Sequence, residues 1–348
     1  MNLSIRTICA ALVCWLAVSA SAFAQWTWTP ETGRFVNLSN LPKETPELQV
    51  EYARSLMVGQ EYDKAFKETN KFIEFYIDSE FADRNQKLRG DIRLAQGEYF
   101  KAAEEYQVVV ANYPESDLYN EVIDSQYEIG DSLYDRGVAR QKKREHTKFW
   151  RLDQKITRTF NPFRKKPFKK AIEVYTMVID NQPFTEEASQ AQYKLGLCHF
   201  TREEYEEAAF EYRRVLEDYS GSDWVQEAAF GLSQCYEKMS LNPAYDQAPS
   251  QLAINTINEY TRRYPNDPRL DEMQAISDKM FERVAEQHFL TARFHEKRGH
   301  IHAAKLAYEI VVKVYADSEA AAKAADRLAK LPSETSAYER FVGPAVLN

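Results

Sequence analysis

Through residues 188–222, apolar and small side chains recur at helical spacing. Tyr193, Leu195, Gly196 and Phe200 form one set, and Tyr205, Ala208, Ala209, Tyr212 and Val215 the next. This pattern predicts two short amphipathic helices joined by a polar turn. Neither helix can bury its apolar face alone, so the unit requires stacked neighbours.

The rest of the chain supplies them. Each unit is marked by a small residue in its second helix, with an aromatic or β-branched residue before it near the turn. An aromatic often follows four positions later. The marker appears at Ala65 (after Tyr62), Ala102 (between Tyr99 and Tyr106), Ala171 (between Phe168 and Tyr175) and Ala208 (between Tyr205 and Tyr212). It returns at Ala253 with Ile257, and at Ala304 with Ile301 and Tyr308. The spacings are 37, 69, 37, 45 and 51 residues, so 37 is the base period and the longer gaps hold insertions. Tyr113-Pro114, Gln182-Pro183 and Tyr264-Pro265 close several units, where proline ends the second helix. The pattern resembles the tetratricopeptide repeat. It predicts an all-α tetratricopeptide-repeat α-solenoid over residues 46–331, with about six helical hairpins and a C-terminal capping helix. Residues 332–348 are expected to be a tail.

Composition agrees with helix: 21 Tyr and 19 Phe accompany only 11 Gly and 13 Pro. Residues 1–24 read as an export signal, with Arg6 ahead of an apolar core and Ala22-Phe23-Ala24 as a cleavage site between Ala24 and Gln25. The protein is therefore expected to be exported. Cys14 is preceded by Val13, where a lipid-modified cysteine normally follows Gly, Ala or Ser. Residues 25–45 read as an extended leader. Its pair Trp26 and Trp28 either packs into the first groove of the domain or belongs to a disordered terminus. Cys198 and Cys235 read as small buried residues at equivalent positions of neighbouring repeats, rather than as a disulfide.

Charge changes the picture in one place. The net charge of −8 argues against nucleic acid as a partner of the whole chain. Residues 138–170 nevertheless hold thirteen Lys/Arg against Glu145 and Asp153, a balance of +11. This basic insertion, bounded at 138–167, includes Lys142, Lys143, Arg144, Arg151, Arg164, Lys165 and Lys166. Phe149, Trp150, Phe160 and Phe163 interleave with the charge. One reading is a dock for an anionic membrane surface or an acidic partner, giving peripheral membrane contact. The other is a helical extension whose aromatics cover the solenoid edge while its lysines are solvated.

No catalytic constellation stands out. There is no phosphate-binding glycine loop, no Gly-x-Ser-x-Gly and no His-Glu-x-x-His. His199, His288 and His295 occupy packing positions, and His288 and His295 lack a third ligand spaced to complete a zinc site. No enzyme activity, metal or cofactor is expected.

The second half carries a finer resemblance. Leu241–Asp267 inserts a loop with Tyr245-Asp246-Gln247 before a helix closed by Tyr264-Pro265. The block Ala285…Arg298-Gly299…Ala303-Ala304 and a terminal helix follow. This order resembles the BamD (YfiO-like) outer-membrane assembly lipoproteins. The resemblance implies a non-catalytic scaffold that takes part in inserting β-barrel proteins into the outer membrane. It implies an N-terminal groove that receives the C-terminal signal of unfolded barrel clients, and C-terminal repeats that dock on the barrel-forming subunit. Aligning the first two units by their markers points Arg54, Met57, Arg84, Lys87, Asp91 and Leu94 into that groove. The alternative is a tetratricopeptide scaffold for cell-envelope, peptidoglycan or division machinery; no sustained heptad favours it.

Overall fold

A computed structural model describes residues 26–29, 34–37, 41–146 and 166–332. Among these residues the chain is helical apart from one ribbon, in which β1 (Trp26–Thr29) pairs antiparallel with β2 (Arg34–Asn37). Thirteen helices follow: α1 (Pro46–Val58), α2 (Tyr62–Tyr76), α3 (Ala82–Ala95), α4 (Tyr99–Asn112), α5 (Tyr119–His146), α6 (Lys166–Asn181) and α7 (Glu186–Thr201). The rest are α8 (Tyr205–Asp218), α9 (Val225–Met239), α10 (Ala248–Arg263), α11 (Leu270–Lys297), α12 (Ile301–Val314) and α13 (Glu319–Lys330). They form six antiparallel hairpins and a terminal helix, the all-α tetratricopeptide fold. The chain divides into two compact units, residues 1–129 and 130–348.

Local chemistry sets the helix starts. Thr45, Thr185 and Ser318 each accept from a backbone N–H three residues on, satisfying a donor left open at the helix N-terminus. The turns within hairpins repeat too. Gln60, Gly97, Glu203 and Gly299 adopt left-handed backbone with φ of 61°, 74°, 64° and 76°. Each lies five residues before a marker alanine, so one backbone conformation aims every such second helix.

All six marker alanines are fully buried. Beside them, a tyrosine ring of the second helix lies on a glycine of the first. A Cβ at Gly90 would sit 2.2 Å from the Tyr106 ring, at Gly130 2.6 Å from Tyr175, and at Gly196 2.6 Å from Tyr212. Small residues and aromatic rings therefore fill one another's gaps, which is how short helices reach interior packing density.

In unit 1 the core joins Val50, Ala53, Ala65, Phe72, Leu88 and Ile92. In unit 2 one cluster runs from Ala208 on α8 to Met280 on α11, and another ties α11, α12 and α13 through Phe289, Tyr308 and Ala324. Polar ties recur inside hairpins. Gln49, Gln86 and Gln192 are buried, and each donates to the backbone carbonyl and the carboxylate of Glu68, Glu105 and Glu211 respectively, always nineteen residues on.

Candidate functional site

The residues expected in the groove lie on α1 and α3, the first helices of the first two hairpins. Arg54 and Arg84 are exposed, the Arg84 guanidinium lying 5.1 Å from the Phe81 ring centre. Met57 is half-buried against the unit 1 core, and Leu94 is half-buried on α3. Lys87 and Asp91 behave differently from the two arginines. The Lys87 ammonium lies 3.2 Å from Asp91 and 3.1 Å from Glu121 on α5. Asp91 also accepts from the Tyr106 hydroxyl at 2.6 Å. Burial, and then the Asp91 charge, pushes that hydroxyl far above its ordinary pKa, so it stays a donor. The expected groove positions thus comprise two exposed cations, two half-buried apolar side chains and a lysine compensated by two carboxylates.

The basic insertion begins as a continuation of α5, which runs 28 residues and carries Arg140 and Lys142 exposed. Lys143 and Arg144 belong to α5 and Lys166 to α6 by backbone alone. Phe149, Trp150, Arg151, Phe160, Phe163, Arg164 and Lys165 lie outside the described residues, as do Ala24 and Gln25 at the expected cleavage point.

The Tyr245-Asp246-Gln247 loop is built as a knot. Asp246 Oδ1 accepts from the Ala248 N–H at 3.0 Å, starting α10. Gln247 is buried, donates to the carbonyls of Asn242 and Tyr245, both at 3.1 Å, and accepts from Ser250 at 2.8 Å. Arg283 on α11 donates to the Ser240 carbonyl at 2.7 Å. With its polar groups satisfied inward, the loop holds Leu241 and Tyr245 outward, 57% and 64% exposed. Spacing alone gave no sign of that exposed pair.

A second knot ties α9, α10 and α11. Asp267 takes two side-chain bonds and a backbone bond from Arg269 and a further bond from the Tyr260 hydroxyl, while Arg269 also reaches Glu227. The hydrogen bonds from Arg269 hold the Asp267 carboxyl well below the usual carboxylate range.

Cys198 and Cys235 are free, buried thiols; burial pushes Cys235 up to about 12 and Cys198 higher still, so neither is a nucleophile near neutral pH. His199 lies 3.1 Å from Glu204, and His288 stacks on Tyr315 with ring centres 5.2 Å apart. Among the described residues, no three His, Cys, Asp or Glu side chains gather as a metal site, and no helix is long and apolar enough to cross a membrane.

Six hairpins with buried marker alanines define a tetratricopeptide-repeat protein, and residues 88–116 match the tetratricopeptide repeat family. Residues 156–337, just over half of the chain, match YfiO, the outer membrane lipoprotein family, and the chain belongs to that family. It is 22% identical over 146 residues to the outer membrane protein assembly factor BamD of Caulobacter vibrioides. That match covers 42% of this chain and about half (48%) of the relative's length. A tetratricopeptide repeat protein from Parabacteroides merdae aligns at 13% identity and TM-score 0.31, covering 76% of this chain and 91% of its own. A thermophilic one from Thermus thermophilus aligns at 13% and 0.31, covering 67% and 98%. The matched span contains the Asp246-Gln247 loop and the Arg298-Gly299 turn; the groove residues on α1 and α3 precede it.

Proposed function

We propose that this chain is a non-catalytic periplasmic scaffold of the BamD type, which holds unfolded β-barrel clients and a barrel-forming partner subunit during outer-membrane assembly. The observation that carries the reading is the family match over residues 156–337, which contains the buried loop knot and the hairpin of α11 and α12. A tetratricopeptide array suits this task because its first helices present side chains along a groove in which an extended peptide can lie. In unit 1, Arg54 and Arg84 would meet the terminal carboxylate of a client, while Met57 and Leu94 would take its apolar side chains. The basic insertion would add contact with an anionic membrane surface or an acidic partner.

Fluorescence anisotropy with a labelled C-terminal peptide of an outer-membrane β-barrel protein tests the groove. The expected result is saturable binding that weakens about tenfold or more in Arg54→Glu/Arg84→Glu, as expected for replacing attraction by repulsion at a terminal carboxylate. Equal binding by the variant would remove the groove from the account.

A further inference from the structure

The two ends of the helical array are finished differently. At the C-terminus, α13 covers the last hairpin and turns the polar side chains of Lys323, Asp326 and Lys330 outward. At the N-terminus, α1 buries Gln49, Val50 and Ala53 and leaves Leu48 and Tyr52, one turn apart, 51% and 37% exposed. An array of stacked hairpins needs a polar or covered face at each end to stay soluble.

The segment just before α1 has the matching character. The register of the ribbon sets Trp26 opposite Asn37 and Trp28 opposite Phe35, so positions 26, 28, 35 and 37, three of them aromatic, share one face. Positions 27, 29, 34 and 36, occupied by Thr, Thr, Arg and Val, share the other. A two-stranded ribbon with one aromatic face is marginal by itself and gains stability by laying that face on something apolar. Trp28 is 51% exposed, so its ring still has surface to bury.

The tether is anchored beside α1. Lys43 is fixed there: its N–H donates to Gln49 Oε1 at 2.7 Å, its carbonyl accepts from the Tyr76 hydroxyl, and its ammonium lies 4.0 Å from the Tyr52 ring centre. Six residues from Lys43 back to Asn37 span at most about 20 Å, a length that lets the ribbon reach Leu48 and Tyr52. We propose that the aromatic face of the β1–β2 ribbon is the N-terminal cap of the array, seated on Leu48 and Tyr52 of α1. The cap braces the helix that carries Arg54 and Met57.

Paired cysteines test this in the full chain with Cys9→Ser and Cys14→Ser, since the remaining thiols of Cys198 and Cys235 are buried. Under mild oxidation Phe35→Cys/Leu48→Cys should form an intramolecular disulfide, mapped by mass spectrometry, at least tenfold faster than Val36→Cys/Leu48→Cys, whose ribbon position faces away. Tryptophan emission should also shift to the red in Leu48→Asp, a substitution at a half-exposed site that leaves the core intact. Equal rates for the two pairs, free thiols in both, or disulfides linking two chains would overturn the cap. The last result would assign the α1 face to a second copy.

Discussion

At the scale of single residues, the fold rests on a glycine or alanine that lets an aromatic ring approach. Gly90 lies under Tyr106, and an added Cβ would overlap the ring. Gly90→Ala is therefore expected to cost about 1–3 kcal/mol, read from urea unfolding, because the ring has no empty space to move into. Asp267 gives a pH-dependent counterpart. Its carboxyl is lower in the folded protein than its ordinary value of 3.8, so its contribution is fully present above about pH 4 and is lost as pH falls below that. Asp267→Asn should lower stability at pH 7 by roughly 2–3 kcal/mol, since charge-assisted bonds to Arg269 and the Tyr260 hydroxyl disappear. It should also flatten the acid limb of a stability–pH curve. An unchanged acid limb would mean that other carboxylates control it. The marker alanines were legible in the sequence because a small residue among aromatics at helical spacing has few other uses. The buried glutamines were not. Gln49, Gln86 and Gln192 look like surface residues, and their partners lie nineteen positions away, beyond any local period.

At the scale of elements, hairpin geometry depends on the left-handed residue that joins two helices. Gly97 holds that position before α4 with φ of 74°. Gly97→Ala is expected to cost about 1 kcal/mol or more in thermal or urea unfolding, because a Cβ is strained in this conformation. Gln60 and Glu203 tolerate the same strain at equivalent turns, which explains why glycine spacing alone under-reports the repeat. Terminal elements carry a separate burden. Removing residues 319–348 would uncover Phe289, Tyr308 and Val311 against which α13 packs. Size-exclusion chromatography should then show aggregates where the intact chain elutes as a defined species. The leader was harder to anticipate. Residues 26–37 alternate Trp-Thr-Trp-Thr and Arg-Phe-Val-Asn about a Pro-Glu-Thr-Gly stretch, and the structure pairs them as a ribbon rather than leaving a single extended strand. In a chain dominated by helical periodicity, eight alternating residues are easily passed over.

At the scale of the whole molecule, repeat number was readable because the marker recurs six times, and the family because the Tyr245-Asp246-Gln247 loop, the Arg298-Gly299 block and a terminal helix follow in order. The site was less so. Lys87 and Asp91 were expected in the groove, and the spacing did not reveal that they pair with each other on α3 and that Lys87 also reaches Glu121 on α5. Marker alignment proposes a face of a helix; it does not report which charges on that face are already neutralised. The central claim, an outer-membrane assembly scaffold, is tested most directly by affinity purification of the chain from solubilised envelope followed by mass spectrometry. A parallel sample would carry residues 147–165 replaced by a short Gly/Ser linker. The account predicts recovery of a large β-barrel protein with periplasmic repeats, and a smaller yield of it from the linker variant. Recovery of division or cell-wall synthesis proteins, with no barrel-forming subunit in either sample, would contradict it.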